Sequence, residues 1–168
     1  MRVIAAVFIL ALAIIPAVSG CNNESKVRPG PAVAINSAVW RVELAVTPQQ
    51  RHKGLSGRWT IPQGRGMLFI FHQPQVLEFW MDGCFVPIDI AFISADKRVL
   101  QVYTMYVEPD YVGREKWTSS GPDNPGGVLA KYALEVQAGE LSRNGVRVGD
   151  TVVFSEDIPD TAKADDAP

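Results

Sequence analysis

Residues 66–94, GMLFIFHQPQVLEFWMDGCFVPIDIAFIS, narrow the choice of fold more than any other stretch of the chain. Three short apolar runs fit between turn residues. Residues 66–71 are broken by His72-Gln73-Pro74-Gln75, residues 76–81 end at Asp82-Gly83, and residues 87–94 end at Ala95-Asp96. Runs this short, rich in Phe, Ile, Val and Trp, read as buried strands rather than helices. A carboxylate interrupts the third run, in Pro87-Ile88-Asp89-Ile90-Ala91-Phe92. Strand alternation puts Asp89 on the opposite face from Ile88 and Ile90. Either that face is wet, or Asp89 is buried and needs a partner.

The N-terminus sets the compartment. Met1-Arg2 precedes an apolar run over 3–15, then Pro16 and the small residues Ala17-Val18-Ser19-Gly20-Cys21. One charge, a short apolar core and small residues before a cut form an export signal, and the core is too short for a comfortable membrane span. Val18-Ser19-Gly20-Cys21 is similar to the bacterial lipobox. That similarity implies cleavage before Cys21, acylation of Cys21 and a lipid-anchored extracytoplasmic protein facing the periplasm or cell surface. The expected division is a signal peptide at 1–20, a flexible tether at 21–31, one domain at 32–156 and a disordered acidic tail at 157–168. With Cys21 lipidated, Cys84 has no cysteine left to pair with, so the fold rests on its core. A formal net charge of −2 argues against a polyanionic partner.

Within the domain, residues 32–35 and 39–46 read as strands, the second alternating Trp40, Val42 and Leu44 against Arg41 and Glu43. Thr47-Pro48-Gln49-Gln50 predicts a helix start with a capping box, stopped at Gly54. Residues 55–64 form an irregular connection, with Trp59 and Ile61 expected to be pinned to the core. Residues 98–107, 128–137 and 151–154 complete the strands, and 139–144 fits one helical turn. Between them, residues 108–127 show no period. A connection that long is a lid or partner surface carrying Tyr111 and Trp117, or a disordered segment. The sum is a mainly β, α+β single domain: a small curved sheet or barrel with one or two short helices.

Glu43-Leu44-Ala45, Arg51, Gly54-Leu55, Arg58, Gly66-Met67-Leu68-Phe69, Phe79-Trp80-Met81, Pro87-Ile88-Asp89-Ile90, Phe92, Pro109, Leu134-Glu135, Gly139 and Gly149-Asp150 stand in an order that resembles the DUF192 family, also called UPF0127. The resemblance covers roughly 39–154 and implies a compact, mostly β domain with a short helix after the second strand. It implies no established activity. Ser56 stands where the family usually has Met, and Gly83-Cys84 where it usually has a polar pair, so a ligand touching those positions would be a variant one.

Candidate chemistry centres on Arg51, Arg58, Trp80, Asp89 and Glu135. Asp89 and Glu135 lie in apolar strands, and the arginines flank the turn at Gly54. An unpaired buried carboxylate costs several kcal/mol or is protonated, so at least one Arg–carboxylate pair is expected among the four. Such a pair is either a structural clamp or the floor of a small-ligand site. Trp80 is either pocket lining or core. Cys84, expected exposed in its turn, lacks a resolving cysteine and a base at motif spacing, since the histidines are His52 and His72. Neither a metal-ligand spacing nor a cofactor motif is present. Residues 64–71 faintly resemble an RNA-binding strand motif, but export and net charge oppose nucleic acid. The reading favours a lipid-anchored module that binds a small ligand or an envelope protein. A hydrolase or transferase using a carboxylate, and a structural partner module, are the rivals.

Overall fold

The structure is a computed structural model that describes residues 30–111, 113, 115–120 and 128–162. The expected leader, Cys21 and nearly all of the expected tether lie outside these residues. Among the described residues, no helix is long and apolar enough to cross a membrane.

The domain is mostly β. Strands β1 (Ala32–Ile35) and β2 (Ala38–Ala45) form a hairpin. Helix α1 (Pro48–Lys53) follows, and its cap is the predicted one. The Thr47 hydroxyl accepts from Gln50 N–H, and the Gln50 side chain accepts from the N–H groups of Val46 and Thr47. Pro48 fits the first turn because its missing N–H would have had no partner there. Helix α1 is the crossover that lets β3 (Arg65–Gln75) pair parallel to β2. The ribbon strand β4 (Glu78–Phe79) comes next, then β5 (Ile88–Ile93), β6 (Val99–Met105), a 3-10 turn at Pro109–Tyr111, β7 (Trp117–Thr118), β8 (Ala130–Gln137), helix α2 (Glu140–Arg143) and β9 (Val152–Phe154).

Seven strands form one curled sheet in the order β6-β5-β8-β3-β2-β1-β9, while β4 and β7 pair separately. The curl brings the two ends of the sheet together. Arg98 bridges Thr151, and Val99 and Val152 donate to the carbonyls of Asp150 and Lys97. The result is a half-barrel stitched at one end.

Each central strand is buried on both faces, as the continuous apolar runs require. The inner face gathers Trp40, Val42, Leu68, Ile70, Ala91, Ile93, Tyr132 and Leu134. The outer face gathers Met67, Phe69, Ile88, Ile90, Phe92 and Ala133, under Leu55, Ile61, Phe79, Met81 and Trp117 from the covering segments. Phe79 packs edge-on against both Phe69 and Phe92.

Several sequence expectations change. The run at 76–81 holds only a two-residue strand, because Phe79 and Met81 pack onto the sheet from above instead of joining it. His72-Gln73-Pro74-Gln75 does not end β3, which runs on past a register shift. Ile61 is buried, but Trp59 is 72% exposed and stacks on Phe85 at 4.2 Å. Part of the long connection is ordered, since β7 pairs with β4 and buries Trp117. A partner surface built on an exposed Trp117 is therefore lost, and the Tyr111 side chain lies outside the described residues. The chain after Glu156 stays on the domain through residue 162. Ile158 and Ala162 join the inner core, and the Tyr132 hydroxyl donates to the Asp160 carbonyl at 2.9 Å. Residues 163–168 lie outside the described residues.

Candidate functional site

Among the described residues four acidic side chains are buried, and their partners distinguish them. Asp89 takes the Thr104 hydroxyl at 2.7 Å and the Leu141 N–H at 3.0 Å. It thereby caps α2, whose N-cap is Gly139 and supplies no side chain. Glu140 takes the Trp40 indole N–H at 2.5 Å and the Gly64 N–H at 3.1 Å. Glu108 accepts from the Glu115 N–H at 2.7 Å. Glu135 is 4% exposed, yet no hydrogen bond or ion pair reaches its carboxyl among the described residues. Its register neighbours are Met67 on β3 and Ile90 on β5. Burial among them pushes its pKa from 4.5 up to about 8, and nothing opposes the shift. Among the described residues, every side-chain oxygen sealed from solvent has a partner, so the Glu135 carboxyl must open onto space.

That space is a pocket of about 250 Å³ on the outer face of the sheet. Glu135, Phe69, Phe79, Leu55 and Cys84 are its buried lining, and Arg51, His52, Lys53, Glu78 and Trp80 stand around the mouth. The wall formed by α1 is positioned by Gly54, whose φ of +48° turns the chain back across Phe69. Arg51 anchors that wall, donating to the carbonyls of Val46 and Ile70 and lying over the Phe71 ring at 5.0 Å. The Ser56 hydroxyl donates to the Asp82 carbonyl at 2.6 Å, tying the turn after α1 to the turn that carries Cys84. The floor depends on Gly66. A Cβ there would stand 2.2 Å from the Glu135 carbonyl oxygen, so β3 and β8 could not approach as they do.

Trp80 is half-buried at the mouth, with His52 edge-on at 6.3 Å and Lys116 Nζ 4.1 Å from its ring centre. A Cβ on Gly113 would meet the indole at 2.9 Å, so that segment lies directly on Trp80. The ordered part of the 108–127 connection thus braces one side of the mouth.

The five residues expected to meet do not all do so. Arg51, Trp80 and Glu135 share the pocket. Arg58 instead pairs with Glu43 on the surface, through two bonds of 2.7 Å, and holds the Glu43 carboxyl below the usual range. Asp89 lies beyond the sheet, because β5 turns Ile88, Ile90 and Phe92 outward and Ala91 and Ile93 inward. Among the described residues, neither Asp89 nor Glu135 pairs with an arginine. Cys84 is buried, not exposed. Burial, with the Glu135 charge second, pushes its thiol up to about 11 despite the Ser56 hydroxyl beside it. It stays a thiol at neutral pH, which removes the basis for a nucleophile. Two contributors lacked a readable signal. His52 is a polar residue on a short helix, and Glu140 shows only as an acid at the start of another. Among the described residues, no group of three or more His, Cys, Asp or Glu side chains could hold a metal ion.

Two crystal structures share this architecture. A protein of unknown function from Novosphingobium aromaticivorans is 28% identical, with a TM-score of 0.63 over 73% of this chain and 83% of that one. A protein described as a putative transcription regulator from Sinorhizobium meliloti is also 28% identical, with a TM-score of 0.64 over 74% of this chain and 92% of that one. None of the curated proteins matches the chain. The DUF192 profile, described as "Uncharacterized ACR", matches residues 32–154, which is the whole span from β1 to β9. The chain belongs to the DUF192 family.

Proposed function

We propose that the protein is a lipid-anchored, extracytoplasmic module that binds a small ligand in the pocket floored by Glu135. One observation carries the binding reading: among the described residues, the carboxyl at the base of the pocket has no partner, while the other three buried acids have donors. Leaving such a group unpaired costs stability unless an occupant completes it. The volume fits a molecule of about one ring with its substituents, and the aromatic lining supplies apolar contact. The lipobox-like Val18-Ser19-Gly20-Cys21 supports the anchored part of the reading.

Native mass spectrometry of the gently extracted protein tests both parts. A mass retained by the parent and lost from folded Glu135→Leu supports the site, and a diacylated N-terminal Cys21 peptide supports the anchor. An unacylated chain beginning upstream of Cys21 would remove the anchor and leave the pocket untouched. A general-acid role is the second reading, favoured because Glu135 keeps its proton at neutrality. It has less support, because Asp89 lies on the other face and Cys84 is protonated. Turnover of the retained molecule, lost in Glu135→Gln, would promote it.

A further inference from the structure

The outer face of the sheet lies under the covering segments at β3, β8 and β5, but it is bare over β1, β9 and the start of β2. Alternation turns Val33, Trp40 and Val152 inward and leaves Ala34, Val39, Arg41 and Val153 on the other side. Val39 stands opposite Ala34 in the β1–β2 register, and Ala34 opposite Val153 in the β1–β9 register, so the three form one row across the sheet. Val39 is 56% exposed and Val153 60%. An antiparallel strand face turned to water ordinarily carries polar residues, so a bare apolar row calls for a cover.

The charge around the row is net positive. Arg41 stands opposite Arg65 in the β2–β3 register, and Arg98 lines a surface groove together with Ala34 and Val153. Among the described residues, none of these three arginines pairs with an acidic side chain. Arg41 donates to the Gly30 carbonyl at 2.8 Å, and Arg98 to the Thr151 hydroxyl at 2.6 Å. The neighbouring acids are already engaged. Glu43 is held by Arg58, and Asp150 accepts from the Asn36 amide and the Arg147 N–H. The contact between Arg41 and Gly30 also fixes where the described chain begins, which is at the edge of this face. Cys21 is nine residues ahead of Gly30. That length spans at most about 30 Å even when fully extended. An acyl group on Cys21 therefore brings this face, before any other, within reach of the lipid.

We infer that the bare face of β9, β1 and β2, rimmed by Arg41, Arg65 and Arg98, rests on the anionic headgroups of the bilayer that holds the protein's own anchor. The placement rests on the acylation of Cys21 proposed above. Basic side chains next to an anionic bilayer are attracted over a short range, and the exposed valines enter the headgroup boundary between them.

The test places the full-length acylated protein in nanodiscs of phosphatidylcholine and phosphatidylglycerol, with a gadolinium chelate on a fraction of the headgroups, and follows methyl resonances. The expected result is that the Val39 and Val153 signals are lost while that of Leu129 persists. Leu129 is equally exposed at 56%, but it adjoins Ala130, which pairs with Gln75 at the far end of β3. The contact equilibrium, read from the ratio of Val39 to Leu129 broadening, falls about fivefold for each of Arg41→Gln and Arg65→Gln. It also falls when phosphatidylglycerol is left out. Arg143→Gln, an exposed charge removed from α2 on the inner side of the sheet, leaves the ratio unchanged. Equal broadening of Val39 and Leu129 in the acylated protein overturns the docking face and leaves the anchor standing. A chain found without acyl groups is sedimented with vesicles of the same two lipids. Salt-sensitive binding that is lost in the double variant Arg41→Gln/Arg65→Gln keeps the face without the anchor, and absence of binding removes both. A dimer that dissociates in Val153→Glu, with no headgroup broadening in the parent, gives the face to a second copy and overturns the membrane assignment.

Discussion

Glu135 separates two kinds of buried acid. Asp89, Glu108 and Glu140 are ionisable groups that the fold has supplied with donors, whereas Glu135 is held protonated by burial. Its effect on stability has a definite sign. Unfolded, the group loses its proton near the ordinary 4.5; folded, it keeps it until about 8. The native state therefore binds more protons across that window, and stability falls as pH rises through it. We expect the parent to lose roughly 1 kcal/mol per pH unit between pH 5 and 8. Glu135→Gln should be flat over the same range, as checked by urea denaturation at each pH. A parallel slope in parent and variant would show that Glu135 is not the group responsible. The sequence marked Asp89 and Glu135 as carboxylates in apolar strands, and that much is present in the fold. The expected arginines were wrong because Asp89 takes a backbone amide and a threonine hydroxyl, and Glu135 takes no donor among the described residues. Residue type alone does not announce such donors.

Elements were legible where local chemistry dictates them and obscure where packing decides. The capping box at Thr47–Gln50 depends on four neighbouring residues, so it could be read directly. The run at 76–81 could not, because an apolar strand pattern looks the same whether a segment joins a sheet or lies across one. The same distinction predicts two unequal substitutions. Asp89→Ala strands the Leu141 N–H at the start of α2 and the Thr104 hydroxyl, and should cost roughly 2–4 kcal/mol. Arg58→Ala removes a two-bond ion pair whose side chains are 35% and 59% exposed, and should cost less than about 1 kcal/mol. Chemical denaturation of both variants beside the parent checks the order, and a larger loss for Arg58→Ala would contradict it.

At the scale of the molecule, a curled sheet was expected, but its closure could not be foreseen. It depends on Arg98 and Thr151, which are far apart in sequence and carry no pairing signal. The acidic composition after Glu156 also hid the apolar residues that seal the inner core. Removing residues 157–168 should therefore cost roughly 2–4 kcal/mol, through Ile158 and the Tyr132–Asp160 bond. A denaturation midpoint equal to that of the full chain would show that this segment contributes nothing.

The sheet also separates two populations of mutational effect. Asp89 and Glu135 sit on adjacent strands, one register position apart, yet open onto opposite faces. In a deep mutational scan that scores cellular abundance and fitness separately, inner positions such as Asp89, Leu134 and Ala91 should lose both scores together. Glu135 should lose fitness while keeping abundance. Along β8, that contrast would switch from one residue to the next, and it would outline the pocket without any knowledge of what fills it.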